Sequence, residues 1–314
     1  MRLVVFGAGA IGSLLGAYLD RSGQEVTLVG RPDHVQAIRA RGLRVEGDLD
    51  GTFRPDAREE LPAGIETDRV LLTVKAFDLS SASKLIAHRL KAAAPILALP
   101  NGLGTEEEIL RGLREGGWTE PDRFLVRGIN TIPATLVGPG VIRQAGHGEI
   151  LLPEASGKPN ADLIELFERT LTRASLPVRH VKDFELEVWR KVLLNAAINP
   201  VTADHRIPNG RLLEDPWRGQ ALQLLREAQT VARLAGHSFP DDEVELDLWK
   251  VVRATASNRS SMLQDRERGR RTEIDAISGA LVRIARAHGI DLPATERAVR
   301  RLEAAPRSHA SQVS

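Results

Sequence analysis

The chain has 314 residues, 42% hydrophobic and 27% charged, which suits a soluble globular protein with room for two domains. Its 43 Lys and Arg against 42 Asp and Glu leave a formal net charge of +1, excluding a global basic field for nucleic acid or anionic lipid. The absence of cysteine excludes disulfides, thiolate metal sites and cysteine nucleophiles.

Taken in chain order, Arg2–Phe6 reads as an apolar strand, followed at once by Gly7-Ala8-Gly9-Ala10-Ile11-Gly12 and a helical pattern over Ile11–Leu19. Three glycines in a turn pattern argue against a signal peptide, and no apolar run reaches the roughly 18 residues of a membrane span. A cytoplasmic protein is the expectation. The single tyrosine, Tyr18, lies in this first helix, so a Tyr-x-x-x-Lys proton donor does not exist. In a strand–turn–helix setting the first glycine permits the tight turn, the second lets a pyrophosphate approach the backbone, and the third lets helix pack on strand. The helix N-terminus then offers free N–H groups to phosphates.

Val26–Val29 is the second expected strand. Such a strand normally ends in an acid that holds a ribose 2′-hydroxyl. Here it ends Val29-Gly30-Arg31, and a guanidinium suits a 2′-phosphate, pointing to NADP; the alternative is that Arg31 is a solvated loop residue. Val70–Val74 is the third strand, with Lys75 at its end, and Ile96–Leu99 the fourth, followed by Asn101-Gly102-Leu103-Gly104. Polar and glycine residues recur where parallel sheets place their ligands. Phe124–Val126, Val141–Arg143 and Glu149–Leu152 read as further strands, with a turn at Gly138-Pro139-Gly140. Near-continuous apolar strands alternating with helices indicate a parallel sheet covered on both faces.

From about Phe184 the pattern becomes helical: Leu186–Ile198, Trp217–Leu234, Val244–Ala256, Glu273–His288 and Ala294–Ala304. Gly236 and Gly289 stand where helix ends favour positive φ, and Pro293 suits a first helical turn. The polar tail Pro306–Ser314 is expected to be disordered. The fold class is α/β: an N-terminal Rossmann-type doubly wound sheet over 1–183, then an all-helical domain over 184–314.

The segment Trp189–Pro200 carries Lys191, Asn195 and Asn199 at i, i+4 and i+8, a stripe that drifts only about 40° per step. Its surroundings are apolar or small, and buried ammonium and amide groups are costly unless satisfied. The stripe therefore suggests a ligand. Glu273 follows Thr272, a candidate N-cap with Asp275 closing a capping box; its plain reading is a carboxylate favouring a helix dipole. The eight histidines have no metal spacing; His34, His88 and His309 are expected at the surface, with no histidine beside a carboxylate. The basic run Arg266–Arg271 reads as a solvated face.

Several of these segments together resemble the ketopantoate reductase (2-dehydropantoate 2-reductase) family. They are the glycine motif, Val74-Lys75-Ala76, Asn101-Gly102-Leu103-Gly104, Trp189–Ala203, Pro208-Asn209-Gly210, Ser260-Ser261-Met262-Leu263-Gln264-Asp265 and Thr272-Glu273-Ile274-Asp275. The resemblance spans nearly the whole chain. It implies NADPH-dependent reduction of a small 2-oxo acid, 2-dehydropantoate, with Lys191 as proton donor. It implies Asn195, Asn199, Asn209, Asn258 and Ser261 at the substrate, with Asn101 near substrate and cofactor alike. It places Lys75, Ala134 and Glu273 at the cofactor. The loop 128–140 matches only loosely, and the strand Glu149–Pro153 lacks a glycine common in the family, departures that bear on loop shape. Two rival readings stand beside this one: the same fold acting on another 2-oxo acid, and a non-catalytic NADPH-sensing module. A homodimer is left open, and neither nucleic acid nor membrane is expected as a partner.

Overall fold

The structure is a computed structural model that describes residues 1–157 and 159–304. The tail Pro306–Ser314 lies outside the described residues. Among those residues the chain divides into two compact units, one of 1–100 and 105–184, the other of 101–104 and the stretch from Glu185 on.

The first unit is built on a six-stranded parallel sheet of β1 (Arg2–Phe6), β2 (Glu25–Val29), β3 (Asp56–Arg58), β4 (Arg69–Leu72), β5 (Ile96–Ala98) and β6 (Leu125–Arg127). The strand order is β3-β2-β1-β4-β5-β6, every pair parallel. Leu3, Val5, Leu28, Leu71 and Leu97 are fully covered, which explains the apolar runs in the sequence. Strand order reverses beside β1, and in open α/β sheets ligands bind at such a switch, outside the carboxyl ends.

Strand β3, with Ala57 its only buried residue, has the polar composition of a sheet edge and gave no apolar signal. β4 stops at Leu72 rather than Val74: Thr73 N–H still donates to Phe6 O at 2.9 Å, after which the chain turns. The expected strands near 141 and 149 exist as Val141–Gln144 and Ile150–Pro153, but they belong to separate four- and three-stranded sheets.

The second unit's core gathers Trp189, Leu193, Leu224, Leu225, Leu248 and Leu281 from its helices. Helix Trp217–Leu234 has the expected bounds; Asp241–Ala254 and Pro293–Ala304 lie within a few residues of theirs. Gly236 and Gly289 take φ of +86° and +72° just beyond helix ends. The helix expected to end near Ile198 instead runs Phe184–His205, through Pro200. Val201, Thr202 and Ala203 are buried, and that packing outweighs the lost backbone bond at proline. The expected helix from Glu273 opens with a π-helical turn, Asp275–Gly279, before α-helix Ala280–Ala287. The Thr272–Asp275 capping box does not form, because Asp275 Oδ1 accepts instead from Arg283 Nη1 at 2.6 Å.

Three histidines depart from the sequence expectation. His34 is buried at 2% exposure, its ring satisfied by Ser13 and Gly140 rather than by water. His147 pairs with Asp48 at 2.9 Å and His180 with Glu168 at 3.2 Å, carboxylate partners brought by tertiary structure and invisible in sequence spacing. His88 is exposed as expected, and His309 lies outside the described residues. The basic run is not simply solvated either: Arg266 reaches Asp204 at 3.4 Å, and Arg268 and Arg270 are half-buried. No described helix is long and apolar enough to cross a membrane.

Candidate functional site

In the first unit, the glycine motif leaves β1 as a turn pinned to β2: Gly7 and Ala8 N–H both donate to Val29 O, at 3.0 and 2.8 Å. Gly7 has φ +112°, and a Cβ there would lie 2.7 Å from the Thr73 carbonyl carbon. A Cβ on Gly12 would sit on the Gly7 carbonyl oxygen and 2.5 Å from Thr73 Oγ1. Both glycines are required by the protein's own packing. Gly9 is different. Its φ of −87° is open to any residue, and a Cβ would meet nothing nearer than Gly7 O at 3.9 Å.

Gly9 is the N-cap of helix Ala10–Arg21, with no side-chain cap and no acid in its first turn. The first amide to bond back is Ser13 N–H, to Gly9 O, so the N–H groups of Ala10, Ile11 and Gly12 precede the helical ladder. Uncapped amides, a positive dipole end and a cradle that only a side chain at Gly9 would fill suit an anionic group such as a dinucleotide pyrophosphate.

Arg31 lies just past β2 as the N-cap of helix Pro32–Arg41, exposed, and no described group engages its guanidinium. Lys75 follows β4 and precedes a short 3-10 turn, Ala76–Asp78. Ala134 is half-buried at the start of strand Ala134–Gly138, paired with Gln144.

In the second unit, the loop Asn101–Gly104 packs on the π-helical turn. Leu103 N–H donates to Ala276 O at 3.1 Å, and a Cβ on Gly102 would lie 2.5 Å from that oxygen. This docking brings Asn101 to Glu273, where Asn101 Nδ2 donates to Oε2 at 3.2 Å. Glu273 is buried at 4% exposure and acts electrostatically on Lys191. Burial lowers the Lys191 ammonium from its ordinary 10.5 to about 8, with the Glu273 carboxylate working the other way. Two residues 82 positions apart in sequence are thus coupled, and the third joins from a distant loop.

Asn195 is half-buried and Asn199 buried on the Lys191 helix, and no described group bonds either side-chain amide. Asn209 opens the 3-10 turn Asn209–Leu213, its N–H donating to Asn258 O and its Nδ2 to Thr255 Oγ1, both at 2.9 Å. Its Oδ1 is buried with no hydrogen-bond partner. An orphaned buried amide oxygen carries a desolvation cost, which a donor on a ligand would relieve. Ser261, the first residue of helix Ser261–Glu267, is exposed; the buried neighbour Ser260 is the N-cap, accepting from Leu263 N–H at 3.2 Å.

The structure therefore bonds Asn101 to Glu273, whose carboxylate acts electrostatically on Lys191, and bonds Asn209 to Asn258. Sequence reasoning missed Ser260, Thr202 and Thr255. Ser260 Oγ lies 2.7 Å from Thr202 Oγ1, which in turn donates to Ile198 O at 2.9 Å, tying the Ser260 cap to the Pro200 segment. Only the Ser-Ser doublet and a threonine two residues past a helical proline hinted at it.

The chain matches the family profile described as Ketopantoate reductase PanE/ApbA over residues 3–157, and that of the PanE/ApbA C terminal over residues 183–305. It is 33% identical over 292 residues to 2-dehydropantoate 2-reductase from Archaeoglobus fulgidus, covering 92% of each chain. To the enzyme of that name from Shigella flexneri it is 33% identical over 300 residues, covering 95% of this chain and 92% of the other. Among solved structures it resembles a PanE/ApbA family ketopantoate reductase from Ralstonia eutropha, with TM-score 0.84 and 31% identity over 96% of this chain and 97% of the other. D-mandelate dehydrogenase, at 24% identity and TM-score 0.87, shares the fold. With both profiles matched in order and a third of its residues shared with curated relatives, the chain belongs to the ketopantoate reductase family.

Proposed function

We propose that this chain reduces 2-dehydropantoate to pantoate with NADPH, a cytoplasmic step toward pantothenate. The observation that carries the reading is the Lys191–Glu273–Asn101 group, a desolvated ammonium beside a buried carboxylate that an asparagine holds in place. When bound, NADPH supplies a hydride to the C2 carbonyl carbon of the 2-oxo acid. The carbonyl oxygen then gathers negative charge. Lys191 Nζ stabilises that charge and donates the proton that completes the hydroxyl.

Asn195, Asn199, Asn209, Asn258 and Ser261 orient the substrate's carboxylate and hydroxyl groups with neutral donors and acceptors, so no second cation competes with Lys191. Asn101 fixes the Glu273 carboxylate and lies near substrate and cofactor. Gly7, Ala8, Gly9, Ala10, Ile11 and Gly12 receive the pyrophosphate, Arg31 the 2′-phosphate, and Lys75, Ala134 and Glu273 complete the cofactor contacts. Kinetics with NADPH and a panel of 2-oxo acids test the substrate: 2-dehydropantoate should give the highest kcat/KM. A much higher value for an unhydroxylated 2-oxo acid would reassign the chain to another member of that class.

Cofactor choice is a separate expectation. Wild-type protein should prefer NADPH to NADH, and Arg31→Ala should reduce that preference roughly tenfold or more, the loss of a charge-assisted contact. Equal kcat/KM for both cofactors in the wild type would remove the 2′-phosphate role from Arg31.

A further inference from the structure

We infer that His34 is a positioning residue for the cofactor's 2′-phosphate, setting where Arg31 stands and thereby the choice between NADPH and NADH. This rests on the reading of Arg31 given above. His34 is a buried titratable ring that the proposed chemistry does not use. It occupies the first turn of helix Pro32–Arg41, three residues after Arg31.

Its ring is held from two sides. Gly140 N–H donates to Nδ1 at 2.9 Å, and Nε2 lies 2.9 Å from Ser13 Oγ. A backbone N–H can only donate, so Nδ1 is the acceptor and the ring proton resides on Nε2, which donates to the serine. Ser13 is fully buried on the helix that the glycine motif opens, one residue past Gly12. Gly140 has φ +76°, and a Cβ on it would lie 3.1 Å from Ala37 Cβ on the His34 helix. That close approach brings its amide to the ring.

Upstream of Arg31, Gly30 N–H donates to Arg58 O at 3.0 Å, and a Cβ on Gly30 would stand 2.7 Å from Ala8 Cβ in the glycine motif. The Arg31 backbone therefore hangs between two anchors, Gly30 against Ala8 and His34 against Ser13. Between Arg31 and His34, Pro32 restricts the chain further, and Val35 N–H closes the first helical bond on Arg31 O at 3.0 Å. With no described group gripping its guanidinium, Arg31 takes its position from this backbone alone.

A histidine that merely stabilised the fold would, when replaced, weaken both cofactors together. A positioning histidine lowers the preference itself. The test is calorimetric binding of 2′-phospho-ADP-ribose and of ADP-ribose to wild type, Arg31→Ala, His34→Leu and Ser13→Ala, with the NADPH:NADH ratio of kcat/KM measured alongside. Ser13→Ala removes only the Oγ partner and serves if His34→Leu does not fold. The expected result is a preference for the phosphorylated ligand that falls roughly tenfold in His34→Leu, or falls in Ser13→Ala, in step with Arg31→Ala. Wild-type preference retained in both variants, whatever their melting temperatures, overturns the role of His34. A wild type with no preference, or an Arg31→Ala that keeps it, overturns the Arg31 reading and this one with it.

Discussion

Lys191→Ala should lower kcat by roughly 10²–10⁴, the usual worth of a positioned general acid, while NADPH binding survives. The donor must be an ammonium, and burial brings its titration from 10.5 to about 8. Below about pH 8 the protonated form of the free protein dominates; as pH rises through that value the donor is lost and kcat/KM for reduction should fall. The same shift has a stability consequence of opposite sense. Between about 8 and 10.5 the unfolded chain holds the lysine proton that the folded chain has released. Stability therefore gains with rising pH in that window, and the cost of desolvating the ammonium is felt in full below it. A wild-type kcat/KM profile with an alkaline limb near 8, absent from the variant, is the expected pair of curves. Near-normal kcat in Lys191→Ala with the limb intact would move the proton to another group or to water.

The glycines of the motif should separate folding from binding. Gly12→Ala drives a methyl onto the Gly7 carbonyl and against Thr73 Oγ1, both fixed by β1 and the end of β4. Overpacking of that kind costs about 1–3 kcal/mol, so Tm should drop by several degrees and cofactor affinity with it. Gly9→Ala has neither strain nor a protein clash within 3.9 Å. Its melting temperature without cofactor should match wild type, while the proposed pyrophosphate site at Gly9 predicts that the methyl raises its dissociation constant for NADPH roughly tenfold or more. Calorimetry with and without NADPH reads both quantities. Full affinity in Gly9→Ala would place the pyrophosphate elsewhere.

Where the apolar pattern was strong, the elements could be read directly: β1, β2, β5 and helix Trp217–Leu234 lie where their sequences predict. Strand β3 escaped because a short edge strand with one buried residue carries almost no hydrophobic signal. The sequence pattern ends helix Phe184–His205 near Ile198 because local propensity fails at Pro200, whereas the burial of Val201–Ala203 is a tertiary fact. The same division runs through the candidate site. Spacing alone put Lys191, Asn195 and Asn199 on one stripe. The pairing of Asn101 with Glu273 depends on a loop docking against a π-helical turn, and no sequence period encodes that contact. The sequence predicts a surface His34 for a related reason, since its partners Ser13 and Gly140 are 21 and 106 residues away.

The most direct measurement of the central claim follows the hydride itself. The protein is incubated with 2-dehydropantoate and NADPH deuterated at the transferable position of its nicotinamide, and the product is read by mass spectrometry and proton NMR. The expected product is pantoate carrying one deuterium at C2 for each NADPH consumed, formed in wild type and nearly absent in Lys191→Ala. NADPH consumed without deuterium at C2, or no pantoate formed under conditions where another 2-oxo acid is reduced, would contradict it.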